Sequence, residues 1–154
     1  MGGVDRTKLS RVTPDALVSA TITVATAKPG FVDLTRDVRD FLADAGARDG
    51  ALSLFIRHTS ASLTIQENAD PDVLADLMTA LDSFAPQDAP WLHTIEGPDD
   101  MPAHVRSMLT ATSLQVPVLA GEPALGMWQA IYLIEHRARP HRREVVLQFL
   151  GTCR

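Results

Sequence analysis

The stretch Met127-Trp128-Gln129-Ala130-Ile131-Tyr132-Leu133-Ile134-Glu135-His136-Arg137-Ala138-Arg139-Pro140-His141-Arg142-Arg143-Glu144-Val145-Val146-Leu147-Gln148-Phe149-Leu150 decides the fold. Met127 to Glu135 is apolar on both faces, the pattern of a central strand covered on both sides. Arg137 to His141, with Pro140 inside it, reads as a turn, and Arg142 to Leu150 as a closing strand. Just upstream, Ser113 to Leu119 reads as another strand, which Pro117 demotes to an edge or a bulge. Strands joined by such short connections pair antiparallel, because a parallel crossover needs a dozen residues or more.

Working outward, Ala16 to Ala27 alternates and is rich in Thr and Val, so it reads as a strand stopped by Lys28-Pro29-Gly30. Leu34, Val38, Phe41, Leu42 and Ala45 fall on one face of a helix that Asp33 or Thr35 can cap and Gly46 can end. Leu52 to Ile65 reads as one long strand interrupted at His58-Thr59-Ser60. Asp70-Pro71-Asp72 opens a second helix with a cap, a proline at the first position and an acid on the dipole. Leu74, Leu77, Met78, Leu81 and Phe84 form its apolar stripe. Pro102 opens a third helix, which places His104 in the first turn. About five strands and three helices without βαβ alternation imply an α+β single domain, an antiparallel or mixed β-sandwich carrying the helices. Residues 1–12 read as a loose leader and 13–154 as that domain.

The 154 residues are 45% apolar, enough for one core, and carry a net charge of −5. An acidic chain lacks the basic face that displaces counterions from a duplex, so nucleic acid is not the expected partner. No apolar run approaches the length of a membrane span. Cys153 is the only cysteine, which excludes an intrachain disulfide and a cysteine zinc site and fits a reducing cytoplasm. Neither GxxxxGK nor GxGxxG occurs, so the usual nucleotide loops are excluded.

The polar chemistry collects in three short segments. They are His58-Thr59-Ser60-Ala61-Ser62 with Glu67-Asn68-Ala69-Asp70-Pro71; His93 with Glu96-Gly97-Pro98-Asp99-Asp100-Met101-Pro102-Ala103-His104; and Glu135-His136-Arg137. In a domain with a radius of gyration of about 15 Å, such segments can meet. Imidazoles and carboxylates from separate elements can hold a divalent cation or move protons near neutral pH. Thr59, Ser60 and Ser62 could add neutral donors for phosphate oxygens. Plainer readings stand beside these: Asp70 and Asp100 as helix caps, His58 as a satisfied structural group. Likewise, Glu135 to Arg143 could be a solvated charged hairpin, and Trp91 and Trp128 core or interface residues.

These motifs, with Gly126-Met127-Trp128-Gln129, stand in the same order as in the YjbQ family, which the chain resembles from about residue 16 to Gly151. The resemblance implies an α+β sandwich, a homotrimer and a weak thiamine-phosphate synthase activity in a family whose primary role is unsettled. That reaction joins a hydroxymethylpyrimidine pyrophosphate to a thiazole phosphate and releases pyrophosphate. Carried over by position, the implied site comprises His58, Asn68, Asp70, His93, Glu96, Asp99, Asp100, His104, Glu135, His136 and Arg137. Ala69 stands where some relatives carry Cys, which removes a cysteine nucleophile here.

The resulting expectation is a cytoplasmic trimeric enzyme with no membrane or nucleic-acid partner, acting on a small phosphorylated molecule. His93, His104 and His136 are expected to hold a divalent metal, Mg²⁺ or Zn²⁺. His58, Glu96 and Asp100 are expected in proton transfer or in orienting those ligands. Thr59, Ser60, Asn68, Asp70, Asp99, Glu135 and Arg137 are expected at the bound molecule. Two alternatives use the same cluster: a metal-dependent hydrolase of a small phosphate or ester, and a trimeric small-anion or metal-binding module without catalysis.

Overall fold

The computed structural model describes residues 2–154. Residues 2–15 are exposed and carry no regular structure. The elements that follow are β1 (Ala16–Thr26), β2 (Gly30–Asp33), α1 (Thr35–Asp44), β3 (Ala47–Ile56), β4 (Ala61–Glu67) and α2 (Pro71–Phe84). Then come α3 (Asp100–Leu109), β5 (Ser113–Leu119), β6 (Glu122–Pro123), β7 (Gln129–Glu135) and β8 (His141–Cys153). They build a five-stranded sheet in the order β1-β8-β3-β5-β6 and a three-stranded sheet in the order β2-β7-β4. Every pairing is antiparallel. The fold is α+β with three helices, as the sequence implies.

The inward residues of the large sheet, Leu52, Leu54 and Ile56 on β3 and Val145, Leu147 and Phe149 on β8, meet Leu63, Ile131 and Leu133 of the small one. Val38 and Leu42 of α1 complete that core. Each such side chain contributes about 1.5–3 kcal/mol on leaving water, so this cluster dominates the stability. The far side of the small sheet faces α2, where Leu77 and Leu81 line a gap with Phe31, Thr64 and Ile134. That double cover explains why β7 is apolar along nearly its whole length: Ala130 through Glu135 are all buried.

Three expectations need correction. The run Leu52 to Ile65 is two strands in different sheets, with His58-Thr59-Ser60 as the crossing between them. Likewise β7 and β8 do not form a hairpin ladder: β7 pairs with β2 and β4, whereas β8 pairs with β1 and β3. Residues 136–140 therefore carry the chain from one sheet to the other. The third helix starts at Asp100, two residues before Pro102, so His104 sits in its second turn. Asp70 caps α2 as anticipated, its Oδ1 accepting the Asp72 N–H at 2.9 Å. Trp128 is not a core residue of the chain, being 59% exposed.

Candidate functional site

The two sheet crossings lie side by side, and the start of α3 docks against them. Asp100, the first residue of α3, is buried and acts as the hub. Its Oδ2 faces His93 Nε2 at 2.7 Å and His104 Nε2 at 3.2 Å. Asp100 and His104 share a helix face because they are four residues apart. Its Oδ1 accepts from Arg137 Nη1 at 2.6 Å. Arg137 also donates from Nε to Asp99 Oδ2 at 3.1 Å and from Nη2 to the Glu96 carbonyl at 2.9 Å. The guanidinium fork thus clasps the whole 96–100 loop.

His104 carries the most specific chemical information. Its Nδ1 lies 2.8 Å from the Thr59 carbonyl, which can only accept, so Nδ1 bears the proton. In the neutral ring Nε2 then presents a lone pair toward the carboxylate Oδ2. Two lone pairs facing one another call for a cation between or beside them, either a proton on Nε2 or a metal ion. His93, Asp100 and His104 each offer a ligand atom within 4.8 Å of the others, a group that could hold a metal ion. Two nitrogens and one oxygen form a set that zinc accepts with an open position left for water or substrate.

The charges agree with this arrangement. Burial by itself would raise the Asp100 carboxyl, but the His93 hydrogen bond and the charges of Arg137, His104 and His93 hold it below the ordinary value. Asp99 behaves alike: burial opposes ionisation, and the Ala138 N–H and Arg137 overcome it. Both carboxyls are therefore ionised near neutral pH. An open cleft of about 330 Å³ lies over the group, lined by Thr59, Ser60, His93, Glu96, Asp100, His104 and Arg137. A neutral cavity of about 240 Å³ shares His93 with it and is lined by Gln87, Ala89, Trp91, Thr94 and Pro98.

The structure thus brings together seven of the expected residues at the cleft, with Asp99 immediately behind Arg137. It does not bring in the others. His58 does not line this cleft but lines an adjoining pocket with Thr59 and His104; its Nε2 accepts the Glu144 N–H at 2.8 Å, and burial, then the Arg143 charge, lower its pKa. Asn68 and Asp70 are exposed, the first donating its N–H to the Trp128 carbonyl and the second capping α2. Glu135 is fully buried. His136, expected as a metal ligand, is also buried, with Nε2 2.8 Å from Ser62 Oγ. Burial, reinforced by the Arg106 charge, pushes His136 down to about 4, so it is neutral. The group that could hold a metal ion consists of His93, Asp100 and His104, and His136 is not among its members.

One residue escaped the sequence reading. Arg143 is buried, donating from Nε to Glu135 Oε2 at 2.7 Å and from Nη2 to the Ser60 carbonyl at 3.1 Å. The signal lay in the alternation: Arg143 shares the inward parity of Val145, Leu147 and Phe149, so its side chain had to enter the interior. Arg137 and Arg143 are therefore not part of a solvated hairpin.

This fold, two antiparallel sheets with three helices packed against them, is shared with solved structures. A hypothetical protein of Aeropyrum pernix superposes with a TM-score of 0.80 at 28% identity, covering 88% of this chain and 99% of that one. A conserved hypothetical protein of Thermus thermophilus gives 0.76 at 37% identity, covering 85% and 99%. In sequence, a UPF0047 protein of Synechocystis is 44% identical over 131 residues, covering 84% of this chain and 89% of its own length. The YjbQ protein of Salmonella typhimurium is 39% identical over 132 residues, covering 85% and 96%. The chain belongs to the YjbQ family, whose model, described as UPF0047 protein YjbQ-like, matches residues 20–152. Among the described residues, no helix is long and apolar enough to cross a membrane.

Proposed function

We propose that the chain is an enzyme of the thiamine-phosphate-synthase kind that holds a divalent cation at His93, Asp100 and His104 and a small phosphorylated molecule beside it. The observation that carries this reading is the Thr59–His104 hydrogen bond, which directs the Nδ1 proton at the carbonyl and turns Nε2, a lone pair in the neutral ring, toward an ionised carboxylate. When bound, Mg²⁺ or Zn²⁺ would neutralise the negative charge of a departing pyrophosphate. The chain's own residues prepare the place. Arg137 engages Asp100 Oδ1 and leaves Oδ2 to the histidines. Thr59 and Ser60 line the cleft and bring hydroxyls able to donate to phosphate oxygens, and Glu96 adds an acidic residue to the same lining. The neutral cavity by Trp91 has the size and lining for a heterocycle held next to those phosphates.

The test is elemental analysis of the untagged protein as purified, beside a His93→Ala, His104→Ala double variant. It is followed by an assay for condensation of the pyrimidine pyrophosphate with the thiazole phosphate at added Mg²⁺ or Zn²⁺. Stoichiometric metal lost in the variant, together with condensation, supports the proposal. Cleavage of simple phosphoesters without condensation points to a metal-dependent hydrolase. Binding of metal or phosphate with no product at any metal points to a small-anion or metal-binding module. A metal-free wild type with no condensation overturns the reading.

We also infer a homotrimer in the cytoplasm. Support for assembly comes from Leu17, Phe55 and Leu150 on the large sheet and from Trp128, all half or more exposed. Support for a reducing compartment comes from the single cysteine. A monomeric mass in dilute solution, with activity intact, overturns the trimer.

A further inference from the structure

Behind the cleft lies a buried ion pair whose members are absent from the cleft lining. Glu135 ends β7 in the small sheet, and Arg143 lies on β8 in the large one. Thr26 of β1 donates its hydroxyl to Glu135 Oε2 at 2.6 Å, so three strands from both sheets meet here. Burial would raise the Glu135 carboxyl, yet Arg143, Thr26 and the Arg137 N–H hold it ionised. A charge pair so deep is costly to desolvate and is a poor source of stability relative to apolar packing. Its contacts point to another use.

Each partner reaches one arm of the cation group. Arg143 Nη2 donates to both the carbonyl and the hydroxyl of Ser60 at 3.1 Å. That pins the crossing whose neighbouring Thr59 carbonyl sets the tautomer of His104. Glu135 Oε1 accepts the backbone N–H of Arg137 at 3.0 Å, fixing the residue whose side chain holds Asp100 Oδ1. The seam between the sheets and the spacing of the ligands are thus set by one pair. We infer that Glu135 and Arg143 are positioning residues for the His93–Asp100–His104 group, Arg143 through Ser60 and Thr59 to His104, and Glu135 through Arg137 to Asp100. The inference rests on the cation reading proposed above. It reassigns Glu135 from ligand contact to support and adds Arg143.

The experiment is titration of the metal-free full chain with Co²⁺, read by the visible absorption bands that report coordination geometry, with thermal unfolding alongside. Arg143→Lys keeps the charge facing Glu135 but lacks the fork that reaches Ser60. It should bind Co²⁺ roughly 10–100-fold more weakly, with altered bands. Leu147→Ala, a truncation in the apolar core four residues along β8 from Arg143, should lower the melting temperature while leaving affinity and bands unchanged. Wild-type bands and affinity in a folded Arg143→Lys protein overturn this inference alone, as does the same loss in Leu147→Ala. No Co²⁺ bands in the wild type overturn the cation reading and this inference with it. Where Arg143→Lys does not fold, Thr26→Val keeps the ion pair and removes one hydroxyl. A weakened site with altered bands supports the positioning role, and unchanged binding overturns it.

Discussion

Arg137 Nη1 and Asp100 Oδ1 lie 2.6 Å apart, with only 6% and 5% of the two side chains exposed. The pair closes a bridge between the corner that leaves β7 and the first turn of α3. Breaking a buried pair from one side leaves an uncompensated charge, which costs about 3–5 kcal/mol. Arg137→Ala should therefore destabilise by about that amount in urea unfolding, because Asp99 and Asp100 both lose their counter-charge. Arg137→Lys retains the charge and should cost less, while still loosening the 96–100 loop.

His136 makes stability depend on pH on the acid side. Its folded pKa, about 4, lies below the ordinary 6.5, so the unfolded chain takes up a proton that the folded chain refuses. The contribution is fully present above pH 6.5 and is lost as pH falls toward 4. The difference is worth about 3 kcal/mol at most. Denaturant titrations at about pH 7.5 and about pH 4.5, on either side of the ordinary imidazole value, should show this loss in the wild type and a smaller one in His136→Gln. Equal losses in the two proteins would remove His136 as the cause.

Asp70 separates a cap from a ligand. Asp70→Ala removes the acceptor for the Asp72 N–H and should cost about 1 kcal/mol. Metal content should be unchanged, since Asp70 stands apart from the cleft-lining residues. Weaker binding of a small phosphorylated molecule by a stable Asp70→Ala protein would restore the binding role that the resemblance implies.

Gly50 and Gly151 face each other across the β3–β8 ladder at the end where the register shifts. A Cβ on Gly50 would run into the Leu150 carbonyl, and one on Gly151 into the Asp49 carbonyl and the Phe149 ring. Neither obstacle can move without disturbing the ladder. Either Gly→Ala change should cost about 2 kcal/mol or more in urea unfolding.

Much of this was legible in the residues. Asp70-Pro71-Asp72 announced α2 correctly because a cap is a local interaction that needs no tertiary information. The apolar run of β7 likewise pointed to a doubly covered strand. What could not be read was partnership: turn composition at Arg137 to His141 says that the chain bends, not whether the next strand joins the same sheet. The error at His136 has the same origin. The resemblance grouped it with His93 and His104, but successive residues leaving β7 turn to different sides: Arg137 reaches Asp100, whereas His136 is buried against Ser62. Arg143 was legible through its parity with Val145 and Leu147, and was masked by the charged residues around it.

The place of β8 has a consequence for synthesis. Residues 141–153 form the strand between β1 and β3, so the middle of the large sheet is the last part to be made. At about 5–20 residues per second, a nascent chain that has completed β3 waits some 5–20 s for β8. During that interval β1 and β3 have no shared partner, and their unpaired edges are open to other chains. Protection of the unfinished polypeptide is a demand this topology places on the cell. Permuted chains that move β8 ahead of β3 should shorten the wait and aggregate less during translation.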